Sequence, residues 1–224
     1  CRVLKSKGVV ALVPARVLES RIGPAAVTVD GRYEGVGRVG AGRTVEVRVA
    51  GRGGVPLSAS AVMLNVTAAL PGGDGYLTVY PCGVDRPHAS NVNYRAGDVV
   101  PHLVGARVGV DGKVCVYSHA ETDLVIDTTG YEDGGGVVAV VPARVLESRT
   151  GPAAVTVDGR YEGVGQVGAG RTVEVRVAGR GGVPSSASAV MLTVTAVLPG
   201  GDGYLTVYPC GVERPHASNV NYRA

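Results

Sequence analysis

Large aromatic side chains are nearly missing from this sequence. Phe and Trp are absent, Met occurs only twice, and the aromatic content of 4% is supplied by 10 Tyr. The hydrophobic fraction of 45% is therefore carried mainly by Val, Ala and Leu, and small branched side chains favour strands over helices. The 35 Gly and 13 Pro fall between Val-rich runs, so they indicate turns between short strands.

Long apolar runs and clusters of like charge are also absent. No stretch reaches the roughly 18 to 20 apolar residues that span a bilayer, and the N-terminus lacks the charged and then apolar pattern of a signal peptide. For an exported protein, we expect the signal to lie upstream of Cys1 or to have been removed. The net charge of +3 comes from scattered Lys and Arg, so we expect neither a nucleic-acid partner nor a membrane span.

No catalytic motif is recognisable. The sequence has no Gly-x-Ser-x-Gly elbow that would place a nucleophile beside one of its four His. These are His88, His102, His119 and His216. We therefore predict that the protein is not an enzyme; the competing enzyme hypothesis would require a concave polar site in each copy of the repeat described below.

Candidate metal ligands are weak. His88 and His216 lie in the same Arg-Pro-His-Ala-Ser context, where a solvent-exposed turn is the favoured interpretation, and no His pair has metal-binding spacing. Asp74 and Asp202 each follow a Pro-Gly-Gly turn, but one carboxylate is far short of the roughly six to eight oxygens that calcium takes. We expect no metal and no cofactor.

An internal repeat organises the chain. Residues 13–96 align with residues 141–224 at an offset of 128, and 78 of the 84 aligned pairs are identical. The six differing pairs are Ile22/Thr150, Arg38/Gln166, Leu57/Ser185, Asn65/Thr193, Ala69/Val197 and Asp85/Glu213. Two copies this similar cannot carry separate specialised sites, so we expect one surface repeated along the chain.

The repeat predicts the domain boundaries. Residues 1–8 form an N-terminal segment, and residues 9–131 form the first module. Residues 132–136 are a Gly-rich linker. Residues 137–224 are a second, near-identical module that has no counterparts of the last strands of the first. We expect either a fragment or a module that another molecule completes.

Alternating apolar and polar residues predict nine short strands in the first module. They cover residues 9–18, 25–29, 44–49, 62–68, 76–80, 90–94, 103–110, 113–117 and 122–127. The Asp111-Gly112 pair between two Val-rich runs is a hairpin signal. The predicted fold class is all-β, with tandem antiparallel β-sandwich modules of the jelly-roll type, and an up-and-down barrel is the alternative.

The four cysteines indicate the redox compartment. Cys82 and Cys115 lie at strand edges in one module, have no zinc spacing, and would close a loop of about 34 residues worth roughly 3 to 4 kcal/mol. We predict that they form a disulfide, and hence an extracellular location, either on the cell surface or secreted. Buried free thiols in a cytosolic protein are the alternative. If Cys82 and Cys115 are joined, Cys210, the repeat counterpart of Cys82, awaits a partner that is either missing or Cys1; in the free-thiol alternative it needs none.

Several ordered motifs resemble a known repeat. VPARVLESR, GVPLSASAVMLNVTA, GYLTVYPCG, RPHASNVNYRAG and DLVIDTTGY are similar to a β-rich unit of secreted and surface proteins of actinobacteria. That unit reads like PAR-LLDTR, GVP-AVVLNVT, GYLTVYPCG, SN-LNY-AG and a final DV-GY. The resemblance covers nearly the whole chain and implies a secreted β-rich module, often attached to other domains. This sequence departs from the unit at Glu132, where an aromatic residue often follows Gly-Tyr.

A ligand-binding surface is the remaining hypothesis for individual residues. Tyr76, Tyr80 and Tyr94 could stack on sugar rings, with Asn91 and Asn93 as hydrogen-bond partners. Packing of the tyrosines and backbone capping by the asparagines are the alternative roles. Without Trp, the sugar-binding interpretation is the weaker one.

Two functions follow as hypotheses. The first is a non-catalytic surface protein, structural or adhesive, whose partner is itself through neighbouring modules or subunits. It could form filaments by strand addition between subunits. The alternative is a carbohydrate- or cell-wall-binding module that targets an attached domain to a cell-surface glycan.

Overall fold

The first copy of the repeat forms eight strands in the computed structural model, which describes residues 8–132 and 137–223. Their bounds are β1 Val9–Glu19, β2 Thr44–Arg48, β3 Ala61–Ala69, β4 Gly75–Pro81, β5 Val92–Tyr94, β6 Val99–Arg107, β7 Lys113–Ser118 and β8 Asp123–Glu132. A 3-10 turn, Val110–Gly112, precedes β7. Cys1, and all of the predicted linker except its first residue, lie outside the described residues.

These strands form two four-stranded antiparallel sheets. One sheet has the order β1-β8-β3-β6 and the other has the order β2-β7-β4-β5. Consecutive strands alternate between the sheets except for β4 and β5, which pair with each other, and this is the strand order of an eight-stranded jelly roll. The all-β sandwich is thereby confirmed. The described residues contain no helix that is long and apolar enough to cross a membrane.

The core lies between the two sheets and consists of small and branched apolar side chains. In the strand predicted at residues 62–68, which lies in β3, the alternate residues Val62, Leu64, Val66 and Ala68 are completely buried. The opposing sheet contributes Val47, Leu77, Val79, Val114 and Val116. Because alternate residues of a strand share one face, a sequence of alternating Val and polar residues fills this space without Phe or Trp.

The predicted strand at residues 25–29 is wrong. This segment lies in the long connection between β1 and β2, where Val27 is 57% exposed and Val29 is 53% exposed. The Thr28 backbone N–H donates to the Glu34 carboxylate at 2.6 Å, so a local turn takes the place of a strand partner. The Val29 N–H donates to the Arg16 backbone oxygen of β1 at 2.8 Å, but a strand pair needs a continued series of such bonds.

The predicted hairpin at Asp111-Gly112 is also wrong. The chain does reverse here, with φ angles of 56° and 70° at these two residues, but β6 pairs with β3 in one sheet and β7 pairs with β2 and β4 in the other. The turn therefore carries the chain from one sheet to the other. A turn signal in the sequence identifies a reversal and does not identify the partner strand.

The second copy, described over residues 137–223, forms one short hairpin. Its strands β9 (Gly203–Leu205) and β10 (Val220–Tyr222) pair in the same register as β4 and β5. In the first copy, each strand pair except β4–β5 includes β6, β7 or β8. The sequence contains the segment that forms these three strands once, in the first copy. Leu192 is accordingly 45% exposed, whereas its counterpart Leu64 is 0% exposed. Pairing with these three strands is what buries the core.

Candidate functional site

The outer face of the sheet β2-β7-β4-β5 carries a cluster of aromatic side chains. Successive residues of a strand point to opposite faces. In β4, Leu77 enters the core while Tyr76 and Tyr80 point outward, and in β7 Val116 enters the core while Tyr117 points outward. Because β4 and β7 are neighbours in the sheet, their outward rings come together.

Four side chains on this face stack in a row, which we call the aromatic ladder: Arg86, Tyr117, Tyr76 and His119. The Arg86 guanidinium carbon lies 4.0 Å from the Tyr117 ring centroid. The Tyr117 and Tyr76 centroids are 6.0 Å apart, and the Tyr76 and His119 rings stack at 5.0 Å with an interplanar angle of 17°. These are distances for cation–π and aromatic contacts, so the ladder places a cation and an imidazole at the two ends of a Tyr pair.

The predicted disulfide lies on the same face. The Sγ atoms of Cys82 and Cys115 are 2.00 Å apart, so the bond that joins the end of β4 to β7 is confirmed. Tyr80 packs against both cysteines and is only 7% exposed, and its hydroxyl lies 3.4 Å from the Thr44 hydroxyl. Tyr80 therefore offers no open ring face for a sugar, whereas it does support the disulfide.

The disulfide also decides against a metal at this place. A carboxylate oxygen of Glu46 and the two sulfurs lie within 4.8 Å of one another, but sulfurs bonded to each other are not the thiolates that metals take. Glu46 instead accepts a hydrogen bond from the Lys113 ammonium at 3.0 Å, which raises the pKa of Lys113. No other such group of three metal-ligating side chains comes together in residues 8–132 and 137–223.

Tyr94 and Asn91, two of the predicted ligand-binding residues, face inward. Tyr94 is 5% exposed, and its hydroxyl lies 3.0 Å from the Ser118 hydroxyl and accepts a hydrogen bond from the Ala120 backbone N–H at 3.2 Å. Asn91 is 9% exposed, and its side-chain oxygen accepts a hydrogen bond from the Val79 backbone N–H at 2.7 Å. The Asn91 contact holds the segment before β5 against β4, and the Tyr94 contact holds β5 against the end of β7 and the turn that follows it.

Tyr76 and Asn93 are the predicted ligand-binding residues that remain on the outer face. Asn93 is exposed at the sheet edge and donates a hydrogen bond to the Thr195 hydroxyl of the second copy at 3.2 Å. Sequence reasoning did not identify Arg86 or Tyr117 as part of this surface, and it considered His119 only as a possible catalytic base. The alternation of residues in β7 predicts that Tyr117 points outward, but it does not predict which side chains lie beside Tyr117 in the sheet.

Similarity assigns no role to this surface. No family model, curated protein or solved structure matches the chain. The chemistry of the aromatic ladder therefore has to be inferred from its own geometry and charge.

A second polar cluster, around Arg52, is structural. Its guanidinium donates to both carboxylate oxygens of Asp30 at 2.6 and 2.7 Å, and also to the backbone oxygens of Val17, Arg48 and Arg32. The hydrogen bonds from Arg52 lower the pKa of Asp30 to about 2. Since every nitrogen of this buried side chain has an acceptor, the cluster has no donor left for a ligand.

The Arg52 cluster recurs unchanged in the second copy. Arg180 donates to Asp158 at 2.6 and 2.7 Å and lies 4.9 Å from the Tyr161 ring centroid, as Arg52 does from the ring of Tyr33. The two clusters hold the same long connection in each copy. This arrangement is therefore encoded locally and does not depend on the sheets.

Another buried carboxylate, Glu19, is also fully engaged. Its side chain is 0% exposed and accepts hydrogen bonds from Arg21 at 2.8 Å and from Arg16 at 2.9 Å. Burial opposes ionisation, but the hydrogen bonds and charges of the two arginines outweigh it, so the pKa of Glu19 is lowered. A carboxylate held ionised in this way stabilises the fold and is not poised to transfer a proton.

The remaining candidate ligands are placed as turn residues. His88 and His216 are both exposed in their loops. The Asp74 carboxylate accepts a hydrogen bond from the Ala96 backbone N–H at 2.9 Å, which fixes the approach to β6. The structure thus places the Pro-Gly-Gly-Asp-Gly motif in a turn that its own carboxylate supports.

Proposed function

We propose that this chain belongs to a non-catalytic, secreted surface protein whose repeated modules act as an adhesive array. The observation that carries the proposal is that the chain enters and leaves the first module at the same end. Val9 at the start of β1 pairs with Glu132 at the end of β8. Because both connections leave the module at one end, each added module extends the array by little. Repetition therefore increases the number of binding faces more than it increases the length of the array.

The same pairing determines how the module responds to force. Tension applied at Val9 and Glu132 pulls on the adjacent ends of two antiparallel strands. The hydrogen-bonded pairs then separate one after another instead of resisting together. Display of faces, rather than load-bearing extension, is therefore the structural role that fits this fold.

The edges of the first sandwich bear on filament formation by strand addition. Edge strand β1 contains Pro14 and two irregularities of register, and edge strand β6 contains Pro101. Edge strand β5 has three residues. Prolines, bulges and short edges are the features that discourage pairing with another chain. Strand addition between subunits thus fits the second copy, whose counterparts of β1, β2 and β3 have no strand partner within residues 137–223.

Near-identity of the copies supports repeated presentation of one face in every repeat that includes a β7 strand. Tyr76 and Arg86 of the ladder recur as Tyr204 and Arg214, and 78 of 84 aligned residues are the same. Export is supported by the Cys82–Cys115 disulfide, a bond typical of oxidising compartments, and by the resemblance to secreted actinobacterial repeats.

Adhesion measured against valency tests the array. The oxidised 224-residue chain and a covalent dimer of it are passed over immobilised actinobacterial cell walls, with a fusion to an unrelated protein of equal mass as the control. We expect the dimer to dissociate about 100-fold more slowly than the single chain, because the second contact is intramolecular. Equal dissociation rates for dimer and control, or no retention of either, would contradict the proposal.

The alternative is a carbohydrate- or cell-wall-binding module that targets an attached domain. The specific observation in its favour is the row of rings at Tyr76, Tyr117 and His119 on an exposed sheet face. Binding of the chain to a glycan array should be lost in Tyr76→Ala, whereas Tyr204→Ala, at the equivalent position of the second copy, should retain it. Retention of binding in both variants would indicate that the glycan binds outside the ladder.

A further inference from the structure

Arg86 is a cation whose donors are largely unused. Its side chain is exposed in the loop between β4 and β5, and its guanidinium lies flat against Tyr117. Its one hydrogen bond runs from Nη1 to the Tyr76 hydroxyl at 3.5 Å, which is long, and no carboxylate of the described residues pairs with it. A guanidinium fixed by stacking, with free N–H groups at its edge, is suited to bind a planar anion by two parallel hydrogen bonds.

We propose, building on the carbohydrate-binding alternative above, that the aromatic ladder binds a polysaccharide of uronic acid residues. Arg86 takes the carboxylate. Because His119 covers one face of the Tyr76 ring, the sugar rings lie on the exposed imidazole of His119 and along the uncovered side of Tyr76. Asn93 points outward from the adjacent strand β5 on the same face. One of its amide hydrogens is donated to Thr195, and the other, together with the amide oxygen, serves sugar hydroxyls.

The spacing within the ladder favours a uronate over other anions. Arg86 Nη1 and the Tyr76 hydroxyl are 3.5 Å apart, so the anion-binding and ring-stacking groups are adjacent. In a uronic acid the carboxylate is bonded directly to the sugar ring, which matches this adjacency. In a polyol phosphate polymer the anion is separated from any ring, and a neutral glycan leaves the Arg86 donors without an acceptor.

Within the described residues, the carboxylates near the site do not pair with the Arg86 guanidinium. Glu46 is the acidic residue of β2 on this face, and Lys113 neutralises it at 3.0 Å. Asp85 is exposed beside Arg86 in the sequence but forms no ion pair with it. The net charge of +3 adds a weak long-range attraction for polyanions.

The second copy provides a matched control within the same chain. Arg214, Tyr204 and Tyr208 repeat the first-copy residues, but here they line an open groove of about 420 Å³. In the first copy β7 lies between β2 and β4 and brings Tyr117 and His119 to this place. Arg214 therefore has the sequence context of Arg86 without the stacked rings.

The test uses the oxidised 224-residue chain with two polymers that differ in one group. Polygalacturonate carries a carboxylate on each ring, and its methyl ester keeps the rings and removes the charge. Isothermal titration should show binding to polygalacturonate that weakens at least about 10-fold in Arg86→Gln, the size of a lost charge-assisted hydrogen bond. Arg86→Lys should weaken it by an intermediate factor, because the charge remains and the planar fork is lost. Arg214→Gln should bind within about 2-fold of the wild type.

Other outcomes separate this inference from the proposed function. Equal binding of the methyl ester would overturn the uronate assignment while leaving carbohydrate binding in place. Tighter binding of a glycerol phosphate polymer would overturn the uronate assignment and point to an anionic cell-wall polymer without rings. Equal losses in Arg86→Gln and Arg214→Gln would show attraction by net charge alone and overturn the site. Binding to neither polymer, with adhesion to cell walls retained, would overturn the inference and leave the adhesive array standing. Thermal melts of the variants establish that each is folded.

Discussion

The buried guanidinium of Arg52 offers a direct test of how the long connection between β1 and β2 is held. Its side chain is 2% exposed and forms a two-point contact with Asp30. Asp30→Asn keeps the size of the side chain but removes the negative charge. We expect the variant to lower the free energy of unfolding by about 1–2 kcal/mol, because a buried cation is left without its counter-ion.

The magnitude follows from the titration of Asp30. Its pKa is lowered from 3.8 to about 2, chiefly by the hydrogen bonds from Arg52. A shift of this size corresponds to at most about 2.4 kcal/mol at roughly 1.4 kcal/mol per pKa unit. Since the Asp30 side chain is 32% exposed, solvent screening reduces the contribution to about 1–2 kcal/mol.

The same shift fixes the sign of the pH dependence. The pKa of Asp30 is lower in the folded protein than in the unfolded chain, so ionised Asp30 stabilises the fold above the unfolded pKa. That stabilisation is lost as the pH falls from 3.8 through about 2. Wild type and Asp30→Asn should therefore differ at pH 7, and most of that difference should be lost at about pH 2.

Urea unfolding followed by Tyr fluorescence measures this difference at both pH values. Asp158→Asn is the matched control, because Asp158 contacts Arg180 at the same 2.6 Å but lies outside the sandwich. The control should leave the main unfolding transition unchanged. A loss in Asp30→Asn that equals the control, or one that is the same at pH 7 and near about pH 2, would refute the reasoning.

Three further predictions concern the sandwich. The double change Cys82→Ser and Cys115→Ser, which removes a bond across a separation of 33 residues, should lower the free energy of unfolding by about 3–4 kcal/mol in urea titrations. Gly109→Ala should cost about 1–3 kcal/mol, because its Cβ would fall on the Cys82 backbone, whereas Gly72→Ala, which has room, should be neutral in the same assay. A chain extended after its last residue by a second version of residues 97–132 should show amide protection in both copies.

The strands over the core could be predicted from the sequence, and their partners could not. In β3, Val62 and Leu64 alternate with less buried residues because one face of the strand packs on the core. Residues 25–29 alternate equally well, but their contact with β1 is the hydrogen bond from the Val29 N–H to the Arg16 backbone oxygen, so no strand pair forms and Val27 stays exposed. Periodicity predicts which face of a strand a residue would occupy, but it does not predict whether a partner strand exists.

The site was only partly predictable for a related reason. Tyr76 was identified from its strand, but Tyr117 and Arg86 reach it from β7 and from a loop, and these contacts depend on the sheet order. The Arg52 cluster could not be predicted either. Three of the acceptors of Arg52 are backbone oxygens, and because every residue has one, the residue types do not identify them. The disulfide was predictable because Cys82 had one candidate partner in its own module.

The two copies separate what the sequence encodes locally from what requires the sheets. The Arg180–Asp158 contact keeps the distances of Arg52–Asp30 in a segment that forms no sandwich. The aromatic ladder behaves in the opposite way, because two of its four members come from β7 and the turn that follows it. A repeat therefore assembles a complete aromatic ladder only where a β7 strand is paired between β2 and β4. If the ladder is the proposed adhesive face, the valency of the array equals the number of paired β7 strands, whatever the number of repeats.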